Sequence, residues 1–147
     1  MKTIGLIGCS ATKLGKDNPT QKYKAQDIYQ GNTFKISKTI GLKKFKCDDW
    51  HILSAEHNLL DKNDEIVYYD RYLAKQSVSY RKDWTQNVLR KLKEKYDLKN
   101  DVFYIFAGSD YYKGLLPHLH CFVFGYKSSN LINLDEPTEY VYGVKKC

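Results

Sequence analysis

An α/β domain with a mostly parallel sheet of about four or five strands, flanked by helices, is the fold class this sequence predicts. Apolar runs of strand length alternate with segments of helical periodicity. Small, hydroxylic and ionisable residues follow directly after three of those runs. At 147 residues the chain is long enough to enclose one hydrophobic core without staples. We therefore expect a single α/β domain over 1–147, with about 126–147 as a C-terminal extension.

Residues 2–8 read as a buried first strand, an apolar run that stops abruptly at Gly8-Cys9-Ser10. A polar loop over 9–26 follows, with Gly15, Asn18 and Pro19. Next comes a helix whose apolar residues Phe34, Ile36, Ile40 and Leu42 roughly keep helical spacing, with Asn32 or Thr33 as cap. Residues 50–54 are a second short strand, and 55–70 a long acidic loop with room for a turn of helix. From 77 to 96 the rhythm Tyr80, Trp84, Val88, Leu92, Tyr96 marks the strongest amphipathic helix. Residues 101–107, rich in Phe, Tyr, Val and Ile, are a central strand, and Gly108-Ser109-Asp110 caps a helix running to Leu116 and ended by Pro117. Residues 121–125 form a fourth strand; beyond them the chain is polar and lacks clear periodicity.

The charge of +7 is unevenly placed. Residues 1–50 hold ten lysines against four acids, 51–70 one lysine against five acids, and 71–99 nine bases against three acids. Basic surface with many tyrosines suits a polyanion, because phosphate neutralisation releases counterions and aromatic faces stack on bases. A Lys-, Tyr- and Asn-rich composition accounts for the charge equally well. The four cysteines, Cys9, Cys47, Cys121 and Cys147, lack CxxC pairing, which favours reduced thiols. No second ligand pair accompanies His118-Leu119-His120-Cys121, so neither a metal nor any other cofactor is expected. No apolar run reaches membrane-spanning length and the amino terminus has no secretory pattern. A soluble, cytoplasmic protein is the expectation.

In parallel sheets ligands bind outside the carboxyl ends of the strands. At those ends lie Gly8-Cys9-Ser10-Ala11-Thr12-Lys13, Ser54-Ala55-Glu56-His57 and Gly108-Ser109-Asp110-Tyr111-Tyr112. The first is not a Walker loop, lacking the glycines of GxxxxGK[ST], yet Ser10, Thr12 and Lys13 with backbone amides could hold an anion. An ordinary strand-to-loop turn explains it too.

Four strings carry a resemblance: Asp27-x-Tyr29-x-Gly31-x-x-Phe34, Trp50-x-Ile52-Leu53-Ser54-Ala55-x-His57-x-Leu59-Leu60, Ile66-x-x-Tyr69-Asp70-x-x-Leu73, and Phe106-Ala107-Gly108-x-x-Tyr111. With the opening Cys9-Ser10-x-x-Lys13, the chain resembles a family of small prokaryotic and phage domains (DUF6884-like) that is itself similar to the peroxide-stress protein YaaA. The resemblance spans about residues 4–117. It implies an α/β fold and an association with DNA, since YaaA is regarded as a DNA-binding protein that limits oxidative damage. Asn58 stands where a Gly is usual after the His, and Val67-Tyr68 where a Pro often precedes the Tyr. Asn tolerates left-handed backbone, so the turn can survive.

These residues suit cleavage or transfer at the N-glycosidic bond of a nucleotide or nucleic-acid base. The transition state there is oxocarbenium-like: a carboxylate stabilises positive charge and a donor helps the base depart. Asp70 is expected as the carboxylate, His57 as the donor, and Ser54 beside them. Cys9, Ser10, Thr12, Lys13, Asp27, Tyr29, Tyr69, Gly108, Ser109 and Tyr111 are the expected ligand-binding residues. The alternative is a DNA-binding module without turnover that holds its partner on Arg81, Lys82, Arg90 and Lys91 of the basic helix. His57 as a satisfied imidazole and Asp70 as a helix cap remain the structural alternatives. A redox role for Cys9 is prompted only by the link to peroxide.

Overall fold

In the computed structural model, which describes residues 1–124 and the strand 143–145, the first run is the middle of the sheet. Strand β1 (Thr3–Gly8) is buried along its length because Ile4, Leu6 and Ile7 pack on both faces. The chain then forms the two-residue strand β2 (Tyr23–Lys24) and a single turn, α1 (Ala25–Ile28). Helix α2 (Asn32–Ile36) runs through a π-helical turn, Ser37–Gly41, into α3 (Leu42–Lys44). Its first residue is Asn32 and the cap is Gly31, without a side-chain cap bond, rather than the expected Asn32 or Thr33.

Strand β3 (Asp49–Ser54) follows. The expected long loop after it is instead a hairpin: β4 (Asn58–Asp61) returns antiparallel along β3, pairing Ser54 with Asn58 and His51 with Asp61. Asn58 takes φ +63°, the left-handed turn conformation that Asn tolerates. Strand β5 (Glu65–Ile66) pairs with β2 as a separate two-stranded sheet. Helix α4 (Val78–Lys95) begins at Ser77, whose hydroxyl accepts the Tyr80 amide, and buries Trp84, Val88, Leu89 and Leu92. Strand β6 (Val102–Phe106) leads through Gly108 into the short α5 (Ser109–Tyr112). Pro117 lies within a 3₁₀ turn, Leu116–His118, ahead of β7 (Cys121–Phe124). In the C-terminal part, β8 (Gly143–Lys145) closes the edge; residues 125–142 and 146–147 lie outside the described residues.

Among the described residues the sheet has six strands in the order β4-β3-β1-β6-β7-β8. The four inner strands are parallel and the two edge strands antiparallel. Side chains alternate across β1, β3 and β6, so the sheet serves two cores. Ile4, Leu6, Leu53, Phe103 and Ile105 meet α4, whereas Ile7, Ile52 and Phe106 meet Ile28, Tyr29 and Phe34. Helices therefore cover both faces. From β1 the chain first adds β3 on one side and later β6 on the other, which makes the carboxyl end of β1 the topological switch point.

Cys9 and Cys47 are free thiols, and burial pushes the Cys47 thiol up to about 11. Cys121 is disulfide-bonded, which corrects the expectation of a reduced thiol at that position; Cys147 is outside the described residues. Among the described residues no helix is long and apolar enough to cross a membrane.

Candidate functional site

The ends of β1 and β6 approach so closely that a Cβ on Gly8 would lie 3.0 Å from that of Ala107. This proximity brings Cys9 Sγ to 3.2 Å from the Tyr111 hydroxyl, across 102 residues of sequence. On the other flank the Cys9 amide donates to Leu53 O of β3 at 2.9 Å. The site therefore forms at the switch point, where three strand ends converge.

Ser54, fully buried at the end of β3, closes the hairpin turn by accepting the His57 amide on Oγ at 3.0 Å. Its Oγ lies 2.8 Å from the Tyr69 hydroxyl, which lies 2.7 Å from that of Tyr29. Its carbonyl accepts the Trp84 indole N–H at 2.7 Å, tying α4 to the same point. Burial raises the pKa of Tyr29, Tyr69 and Tyr111 well above the ordinary phenol value, so all three stay protonated. Their hydroxyls remain hydrogen-bond donors.

Lys13 is 9 % exposed. Its Nζ donates to Ala11 O at 3.0 Å and stands 4.6 Å from the centre of the Tyr69 ring. Burial lowers its pKa, against the electrostatic influence of the neighbouring Cys9 and Asp70, which raises it. Ser10 is internally satisfied: its hydroxyl donates to Thr12 O at 2.8 Å and accepts the Gly31 amide at 3.2 Å. A Cβ on Gly31 would meet Ser10 Cβ at 2.7 Å, which explains why Gly closes the Asp27-x-Tyr29-x-Gly31 string.

Cys9, Ser10, Ala11, Lys13, Asp70, Arg71, Tyr72 and Tyr111 line one cleft of about 90 Å³. That is far below the ~300 Å³ at which whole-ligand pockets begin. A space of that size has room for one end group of a larger molecule and not for the whole of it. Of the sequence-predicted residues, Cys9, Ser10, Lys13, Asp70 and Tyr111 meet here, with Ser54, Tyr29 and Tyr69 behind them. His57 lies outside the lining, its ring edge-on to Tyr69 at 5.4 Å, and burial lowers its pKa. Asp27 is exposed on α1, Thr12 is exposed on the first loop, and Gly108 and Ser109 are exposed at the start of α5.

Arg71 and Tyr72 belong to the lining without having been singled out in the sequence. Both sit inside the Tyr69-Asp70-x-x-Leu73 string, where an aromatic two residues after the Asp was the available signal. Arg71 pairs with Glu56 and donates to Gln76 Oε1 at 3.0 Å, while Tyr72 is 46 % exposed at the mouth.

The four basic-helix residues are unequal. Lys91 donates to His57 O and Leu59 O at 3.2 and 3.3 Å, and Arg90 pairs with Glu94 at 3.3 Å. Lys82 is exposed, and Arg81 is half-buried with no hydrogen-bond partner for its Nε among the described residues.

A separate buried network escaped the sequence reading. His51 Nδ1 lies 2.8 Å from Asp61 Oδ1, and its Nε2 2.6 Å from the Tyr96 hydroxyl, which donates to Asp49 at 2.8 Å. Among the described residues no group of three or more His, Cys, Asp or Glu side chains is arranged to hold a metal ion.

The chain matches, over residues 4–127, the model of a family of unknown function (DUF6884). No curated protein and no solved structure matches it.

Proposed function

The chain belongs to that family of unknown function, and we propose that it is a nucleotide- or nucleic-acid-directed enzyme acting at an N-glycosidic bond. The observation that carries the reading is the lining of one cleft by a carboxylate, Asp70, a buried amine, Lys13, a protonated phenol, Tyr111, and an exposed aromatic, Tyr72. Asp70 stabilises the oxocarbenium-like sugar and positions water. Tyr111, whose hydroxyl keeps its proton, donates to the departing base in place of His57, which stands behind Tyr69. Tyr72 offers a stacking face to the base at the cleft mouth. The net charge of +7 favours an anionic substrate, and such substrates are met in the cytoplasm.

The test is base release, followed chromatographically, from nucleosides, nucleotides and short single- and double-stranded DNA. Asp70→Asn is expected to lose release while keeping the fold. Absence of release from every substrate, or undiminished release by Asp70→Asn, abandons the reading.

A second reading, a DNA-binding module of YaaA type without turnover, is favoured by the exposed Lys82 and Arg90 on α4. It requires salt-sensitive DNA binding that Asp70→Asn leaves unchanged.

A further inference from the structure

We propose that Lys13 is a nucleophilic amine that captures the C1 aldehyde of the released sugar as an imine. The inference rests on the glycosidic reading for its substrate class, an aldose or abasic nucleotide, and on the surroundings of Lys13 for its chemistry.

Lysines at the mouth of a site usually hold phosphate, but the neighbours of this one oppose that use. Asp70 lines the same cleft and repels an anion. The Ser10 hydroxyl is consumed by Thr12 O and the Gly31 amide. Arg71, the other cation of the lining, is engaged by Glu56 and Gln76. Lys13 itself forms no salt bridge among the described residues. What surrounds its Nζ is a carbonyl, Ala11 O, and the faces of Tyr69 and Tyr68 at 4.6 and 5.7 Å. An amine withdrawn from water beside a carboxylate is the arrangement that Schiff-base chemistry uses. The burial-lowered pKa of Lys13 supports this.

The step balances without an external oxidant or reductant. Loss of the base leaves a hemiacetal whose open form carries an aldehyde at C1. The Lys13 lone pair forms the N–C1 bond, the carbonyl π pair moves to oxygen, that oxygen takes a proton from water, and the nitrogen gives up one proton to the hydroxide left behind. The carbinolamine then loses water, with Asp70 as the adjacent proton carrier, to give the imine. Addition of water reverses the sequence. The small cleft suits this step, because an open-chain aldehyde end is slender while the remainder of the nucleotide stays outside.

The test incubates the full chain with an oligodeoxynucleotide carrying a preformed abasic site in the presence of sodium borohydride. Hydride reduction of the imine leaves a stable secondary amine, read by intact mass and peptide mapping. A covalent adduct mapping to Lys13 in the wild-type protein, lost in Lys13→Arg and Lys13→Met, is the expected result. No adduct, or an adduct mapping to other lysines, overturns the proposal; because the mapping is done on wild-type protein, a variant that fails to fold does not protect it. The preformed aldehyde bypasses base removal, which separates the two ideas. Base release without a Lys13 adduct sinks the imine alone, whereas a Lys13 adduct without base release from any substrate sinks the glycosidase reading.

Discussion

The Tyr69 hydroxyl bridges Ser54 Oγ at 2.8 Å to the Tyr29 hydroxyl at 2.7 Å, so one phenol joins the end of β3 to the Asp27-x-Tyr29-x-Gly31 segment. Removing that hydroxyl takes from the Tyr29 hydroxyl its contact with Tyr69 and leaves Ser54 Oγ with the His57 amide. Tyr69→Phe keeps the ring beneath Lys13 and is expected to cost about 1–3 kcal/mol. Chemical denaturation measures it; a midpoint equal to wild type would show that the bridge contributes nothing to stability.

Gly31 has φ −65°, which any residue adopts, so its requirement is purely steric. Gly31→Ala would gain about 0.4–1 kcal/mol by restricting the unfolded chain. The new Cβ, 2.7 Å from Ser10 Cβ, has no flexible atom to yield, and overpacking costs about 1–3 kcal/mol. Net destabilisation is expected. Ser10→Gly in the same chain should recover most of it, and a double-mutant cycle that is strictly additive would refute the contact.

The strands and the long helix were legible because their causes are local. Thr3–Gly8 and Val102–Phe106 are apolar on both faces, and Trp84, Val88 and Leu92 recur at helical spacing. β4 was hidden because its two leucines are adjacent, so no alternation announces it, and its turn closes on Asn58 rather than Gly. The cleft was half legible. The strings after β1, β3 and β6 named Cys9, Lys13 and Tyr111, yet nothing local reveals that Gly31, 21 residues away, saturates Ser10, or that Trp84 anchors Ser54 across 30 residues. Side chains whose partners are distant in sequence look equally available until the fold assigns them.

The two histidines of the hairpin should set the acid limb of stability. Burial lowers the pKa of His51, against Asp49 and Asp61, and that of His57, against Glu56. Below the unfolded value of about 6.5 the unfolded chain then binds more protons than the folded one, so stability falls on acidification from that pH downward. His51→Gln retains polar capacity without titrating and is expected to flatten this slope, as is His57→Gln to a smaller degree. Denaturation series between pH 4 and pH 7 read the slopes; a variant as steep as wild type would exclude its histidine as the source.

The DNA-binding alternative must be probed with substitutions that leave the fold alone, and the four basic residues of α4 do not all meet that condition. Lys91 fastens the helix to the hairpin through His57 O and Leu59 O, at 3.2 and 3.3 Å. Lys91→Ala should therefore cost about 1–2 kcal/mol, since it strips two carbonyls of a charged donor. Lys82→Ala, on the exposed face, should stay within about 0.5 kcal/mol of wild type. Denaturant midpoints of the two variants check the contrast, and equal midpoints would deny Lys91 its structural role. If the contrast holds, weaker DNA binding after Lys91→Ala could come from a loosened hairpin. The informative pair is then Lys82→Ala with Arg90→Ala: a basic-helix interface loses affinity and about two units of salt slope in that double variant. An unchanged slope places any DNA contact elsewhere.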